Sequence, residues 1–379
     1  MEGDVDSLRY NELVERALGR IRPIGMEPYL DLGSETRSGT RMNREYMDSI
    51  SIEMRILHSK PASTAAKLFG RDLTAPIVAS ALCESRILKR LGPWTTPYLE
   101  QIAKGLAEAG SMMSTGDVQH DELARIVEQG APVIHIVKPY ADESRIHGHL
   151  ESARSLGCVA IGMDIDAMYL EKAWDEVPGP AYLGYQSAEQ IARYVKATPL
   201  PFVIKGVLSV QDATAARDLG AAAIVVSSHG GETIDFTTPV LELLPAIRKA
   251  VPEMTILVDS GFRRGSDAFK ALALGADGVG LGTQLVVACA AAGSDGVRRM
   301  MHLLQEELER VMCLTGFQSV SAVEPSVLHC LAEPSPGDTY LSTRIGARNR
   351  SPRIPELPSR SPWMVLEVRR NSSLDDRRA

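Results

Sequence analysis

Side chains able to move protons or hold anions stand, in this 379-residue sequence, directly behind short apolar runs. CVAIGMDID carries Asp164 and Asp166, PFVIKGV carries Lys205, AAIVVSS leads into Ser227-Ser228-His229, and TILVDSG ends on Asp259-Ser260-Gly261. Carboxylates, an ammonium and an imidazole brought to one place are equipment for general acid–base chemistry. Further along, the segments from Asp259 to Gly265 and from Gly280 to Thr283 combine glycines with Arg263 and Arg264. Glycines let backbone N–H groups approach an anion closely and arginine adds charge-assisted hydrogen bonds, so a phosphorylated ligand is implied. Tight turns alone would also use these glycines, and a core histidine satisfied by backbone is the plain alternative for His229. The agreement of Gly, Arg and position behind the apolar runs favours the chemical reading of both.

These residues need a frame, and the apolar runs supply it. Eight of them begin at Ala75, Ser111, Pro132, Cys158, Pro201, Ala222, Thr255 and Gly278. Each is apolar throughout instead of alternating, the pattern of strands covered on both faces in a parallel sheet. Between them lie amphipathic stretches such as PYLEQIAKGLAEAG, HDELARIVEQG and VQDATAARDLG, several closing on Gly110, Gly130, Gly157, Gly220 or Gly275, where a helix end needs a left-handed residue. Eight strand-then-helix units place the chain in the α/β class as a (β/α)8 TIM barrel, whose active site lies at the carboxyl ends of the strands. The chain is therefore divided into a helical lead-in (1–72), a barrel (73–335) and a Pro/Ser/Arg-rich tail (336–379) expected to be disordered.

Composition narrows the function. Hydrophobic residues make up 44% and charged residues 23%, ordinary for a packed globular protein. No apolar run approaches the roughly 20 residues that span a bilayer, and the acidic amphipathic N-terminus lacks the features of a signal peptide, so no membrane span and a cytoplasmic location are expected. Five scattered cysteines without CxxC spacing argue against a disulfide framework or a zinc site, and no metal is called for. The net charge is −7, but from Arg344 onward nine Arg face four acidic residues, so the body carries −12. A body this acidic is a poor nucleic-acid binder.

With VIKGV, SSHGG, DSGFRRGSDAFKALALGADGV and LTGFQSV on the page, the chain resembles the FMN-dependent 2-hydroxy acid oxidase and dehydrogenase family, most strongly from Pro201 to Val320 and continuously back to about Leu73. The resemblance implies FMN as cofactor, a small-molecule substrate, oxygen or another electron acceptor as second partner, and a homotetramer. It makes His229 the base that takes the substrate hydroxyl proton while hydride leaves for flavin N5, with Asp166 paired to it. Lys205 falls on the flavin N1/O2 edge. Asp259, Gly261 and Arg263 fall on the ribityl and phosphate contacts, and Gly282 on a backbone phosphate donor, with Thr283 at the position of a phosphate-binding Arg. Ala79, Ser80, Ala81, Thr115, His135, Asp164 and Ser227 complete the expected cofactor contacts.

The departures bear on the substrate. The family holds its substrate carboxylate with an Arg three residues after the catalytic His, and here that residue is Glu232. A second Arg falls near Ala173, with Lys172 close by, and the family's substrate-binding tyrosines are replaced around Glu35 and Val137. Either another cation, such as Lys138, Arg86 or Lys89, takes the carboxylate, or the substrate is no longer a simple 2-hydroxy acid. The second is favoured, because a carboxylate repels a like charge and suits an amine or hydroxyl-rich substrate. An FMN-dependent non-redox isomerase, another nucleotide-binding barrel and a catalytically silent binding protein are the competing functions.

Overall fold

The computed structural model describes residues 4–30, 33–83, 85–92, 95–169 and 183–330; Lys172, Ala173 and the tail lie outside them. Eight parallel strands form the central sheet: β1 (Ile77–Ala79), β2 (Met113–Thr115), β3 (Val133–Val137), β4 (Ala160–Asp164), β5 (Phe202–Val207), β6 (Ala223–Val226), β7 (Thr255–Val258) and β8 (Gly278–Leu281). Each pairs with its sequence neighbour, and β8 returns to β1. Ala79 N–H donates to Met112 O at 3.0 Å and Leu82 N–H to Ser114 O at 3.0 Å, which closes the sheet between β1 and β2. The result is the expected (β/α)8 barrel.

Strand alternation sorts the side chains. Val78, Met112, Ile134, Ile136, Ala160, Val203, Ala223, Val225 and Leu257 fill the barrel interior. Its amino-terminal end is stopped by a hairpin, Ala66–Leu68 with Arg71–Leu73, whose Leu68 and Leu73 join that core. The 1–72 region thus adds short strands to its helices, including Ile50–Ile52 paired with Leu328–Cys330. Helices α1 (Tyr10–Ile21) and α2 (Ser38–Ser49) belong to this region. α2 reaches the carboxyl end of the barrel, where Thr40 Oγ1 donates to Gly230 O at 2.6 Å.

The outer layer contains α3 (Arg86–Leu91), α4 (Tyr98–Glu108), α5 (His120–Val127), α6 (Glu143–Ser155), α7 (Ala188–Ala197), α8 (Val210–Asp218), α9 (Val240–Ala250), α10 (Gly265–Ala273) and α11 (Thr283–Thr315). The five glycines that were read as helix stops all have left-handed backbone, with φ from +67° to +109°. Among the described residues, no helix is long and apolar enough to cross a membrane.

Candidate active site

At the carboxyl end of the barrel four charged side chains meet one imidazole. Asp164, the last residue of β4, lies in register with Lys205 on β5. Its Oδ1 accepts from Lys205 Nζ at 2.9 Å and its Oδ2 from Lys138 Nζ, just beyond β3, at 2.8 Å. His229 Nδ1 lies 3.2 Å from Asp166 Oδ1, 3.5 Å from Asp164 Oδ2 and 3.4 Å from Lys205 Nζ. Lys138, Lys205, His229, Asp164 and Asp166 therefore form one electrostatic unit.

Burial opposes charge on every member, so the neighbours decide. For Asp164, Lys138 and Lys205 outweigh burial and hold the carboxyl well below its usual range. Burial and Lys205 push His229 down, but Asp164 and Asp166 overcome them and its pKa rises. Lys205 stays raised because Asp164, Asp166 and Asp259 surround it, and Lys138 is raised by Asp164. Asp166 goes up, through burial first and then repulsion from Asp164. The carboxylate and imidazole ligand atoms of Asp164, Asp166 and His229 converge within 4.8 Å, but the lysine ammoniums already supply positive charge to that cluster.

The backbone makes room for this unit. β5 bulges between Lys205 and Val207, and the intervening Gly206 has φ +94°. A Cβ there would come 2.7 Å from Asp166 Cγ, so the glycine lets the second carboxylate approach. The turn carrying the imidazole is left-handed at three successive residues, His229 (φ +52°), Gly230 (+65°) and Gly231 (+84°). Ser227 Oγ accepts from His229 N–H at 3.1 Å, and Asn43 on α2 donates to Ser228 Oγ at 3.1 Å. Gly206 and Asn43 were not singled out in the sequence; the Lys-Gly pair ending an apolar run was the available signal for Gly206.

Beside the charged unit is a cavity lined by Val78, Ala79, Ser80, Ala81, Ser114, Ile134, Ile136, Lys205, Asp259 and Gly280 among others. Its lining joins an apolar wall and backbone to the Lys205 ammonium and the Asp259 carboxylate, and the enclosed space is only about 20 Å³. The phosphate features lie at the ends of β7 and β8. Gly261 is left-handed, Gly282 starts α11, and a Cβ on Gly282 would meet nothing nearer than Ser80 Cβ at 4.0 Å. Arg263 is exposed, and its guanidinium has no hydrogen bond or ion pair among the described residues, whereas Arg264 is bound to Glu307. Asp267 accepts from the N–H groups of Arg263 and Arg264 at 3.0 and 3.1 Å, and Arg44 binds both Asp267 and Gly261 O, fixing this loop. Thr283 is exposed at the first position of α11. The donor set fits FMN: the Lys205 ammonium beside an apolar wall, with a glycine cradle and an uncommitted guanidinium for the phosphate.

Two expected cofactor contacts are corrected. Thr115 and His135 point away from the barrel interior, because alternation along β2 and β3 turns Ser114, Ile134 and Ile136 inward. A one-residue offset in a strand exchanges its faces, and the sequence reading was offset by that much. His135 Nδ1 meets Thr115 Oγ1 at 2.8 Å, its Nε2 meets His149 Nδ1 on α6 at 3.0 Å, and His149 Nε2 faces Asp117 at 3.6 Å. Tyr140 stacks on His149 and donates to Asp117. The two ring hydrogen bonds are satisfied when Thr115 donates to His135 and His135 to His149, which leaves the His149 Nε2–H facing Asp117. Burial drives His135 down to about 3, so it stays neutral. Glu232 follows the left-handed turn, half-buried, with its N–H donating to His229 O at 3.2 Å.

A barrel with these strand ends defines a class of flavin enzyme, and the chain belongs to the FMN-dependent dehydrogenase family, whose model matches residues 20–179 and 179–330. It is similar to 4-hydroxymandelate oxidase of Amycolatopsis orientalis, 30% identical over 347 residues, covering 82% of this chain and 95% of the relative. It is also similar to glycolate oxidase 1 of Oryza sativa subsp. japonica, 27% identical over 350 residues with 81% and 93% covered. A crystal structure of mandelate oxidase superposes with TM-score 0.75 at 29% identity, covering 84% of this chain and 97% of that one. The protein is thus an FMN-dependent oxidoreductase of the α-hydroxy acid oxidase kind.

Proposed function

We propose that this enzyme oxidises a carbon bearing a hydroxyl or amino group, with His229 as the base that removes the proton and with a substrate other than a simple 2-hydroxy acid. The observation that carries the assignment is the placement of His229 Nδ1, 3.2 Å from Asp166 and 3.5 Å from Asp164. The carboxylates occupy the Nδ1 side of the ring, leaving Nε2 as the proton acceptor, and they stabilise the imidazolium that forms. FMN, when bound, would supply the hydride acceptor, with oxygen or another acceptor as the final oxidant. Lys205 would hold the cofactor and oppose negative charge developing on it. Lys138 is committed to Asp164, which leaves it poorly placed to serve as a full substitute for a bidentate arginine toward a substrate carboxylate.

Glu232, at the position of the family's carboxylate-binding Arg, supports a cationic or hydroxyl-rich substrate, and exposed Ile234 and Phe236 just beyond it offer apolar surface. Anaerobic mixing of FMN-loaded protein with glycolate, lactate, mandelate, amino alcohols and amino acids tests both parts. Bleaching of the flavin absorbance by the amino-bearing or hydroxyl-rich compounds is expected. Rapid bleaching by glycolate or lactate would overturn the substrate assignment, and flavin that no compound bleaches would favour the isomerase or binding-protein alternatives.

A further inference from the structure

Ser260 follows Asp259 at the end of β7 and has φ +80°, a left-handed conformation that strains any residue except glycine. A residue needed only for the turn would be better as glycine, so the side chain must return something. The Ser260 hydroxyl has one proton and two acceptor positions, and all three are used. It donates to Asp259 Oδ1 at 3.0 Å and accepts from Ser228 N–H at 3.1 Å and Gly230 N–H at 3.2 Å. Those two N–H groups flank His229. Ser228 has φ −101° and ψ 18°, and His229 has φ +52°; this succession of right- and left-handed residues turns the N–H groups of Ser228 and Gly230, on either side of His229, toward one point, the arrangement that elsewhere cups an anion. Here the cup is filled from within the chain.

We propose that Ser260 is a positioning residue whose hydroxyl, seated in the backbone cup around His229, holds the imidazole against Asp164 and Asp166 and ties it to Asp259 on the cofactor side. The catalytic consequence rests on the reading of His229 as the base. The charged groups facing that imidazole are Lys138, Asp164, Asp166 and Lys205, with Asp259 acting through Lys205. A turn released from Ser260 moves the imidazole away from its carboxylates, and small displacements at a reacting group cost rate steeply.

The experiment uses the FMN-loaded proteins carrying Ser260→Gly and Ser260→Ala, with His229 followed by imidazole NMR across pH and by anaerobic flavin reduction. Glycine removes the hydroxyl and the strain together, so S260G should fold and retain FMN. Its His229 midpoint should fall toward the ordinary value of about 6.5, and flavin reduction should slow by about ten- to a hundredfold, mainly in kcat. Ala keeps the strain without the hydroxyl, so S260A should melt below S260G yet share the same shift in midpoint. An unshifted midpoint in both variants would overturn the proposal, leaving Ser260 as turn filler. A shifted midpoint with unchanged reduction rate would support the positioning and instead overturn the role of His229 as base.

Discussion

His135 and His229 are both enclosed by the barrel wall or its mouth, yet their imidazoles are driven in opposite directions. His135 sits on the outer face of β3 between Thr115 and His149, with no carboxylate on its ring, and burial, helped by repulsion from His149, pushes it down to about 3. His229 sits at the inner mouth, where Asp164 and Asp166 raise it against burial and two lysines. The difference teaches that burial by itself silences a histidine, and that only carboxylates aimed at the ring make a buried imidazole a usable base. One ring braces strands against a helix; the other meets the carboxylates that its proposed role as base requires.

The comparison breaks most visibly at His229. Alanine there should leave FMN bound but slow anaerobic flavin reduction by at least about 10²–10⁴, and unchanged stopped-flow traces would remove His229 from the mechanism. Asp164→Asn strips two buried ammoniums of their shared counter-ion, so unfolding by denaturant should become easier by about 3–5 kcal/mol. The His229 midpoint should fall in the same variant. His135→Leu leaves Thr115 and His149 without their partner and should cost about 1–3 kcal/mol of stability, while flavin reduction proceeds at the parental rate. A large loss of rate in that variant would mean the outer face also serves the reaction.

The pH slopes of the two histidines should have opposite signs. The raised pKa of His229 contributes stability that is complete below the unfolded value of about 6.5 and is lost as pH rises through its folded value. The lowered pKa of His135 contributes stability present above about 6.5 and lost as pH falls toward its folded value. Denaturant titrations from pH 4 to 9 on the parent, H135L and H229A should show each variant losing its own slope. Glu232→Arg sharpens the substrate side: it should increase flavin reduction by small 2-hydroxy acids and decrease reduction by cationic compounds. No change in that ratio would mean that Glu232 does not meet the substrate.

Much of the architecture is legible in the residues themselves. Uniformly apolar runs can only be strands covered on both faces, left-handed glycines mark the helix ends, and Asp164, Lys205, His229 and Asp259 are recognisable because polar residues ending such runs must lie at the carboxyl mouth. What linear sequence leaves open is which way a side chain faces within a wholly apolar strand. Without polar alternation, Ile134 and His135 are equally plausible as inward residues, and closure of the barrel settles it. The same holds for the sharing of Asp164 between Lys138 and Lys205, and for Ser260 beneath the His229 turn. These contacts join segments up to 41 residues apart, and their direction is set by backbone torsions that only the closed fold imposes. The sequence by itself determined the barrel and the chemical inventory at its mouth; tertiary structure alone decided which imidazole meets carboxylates, because charge acts over distances that chain position does not record.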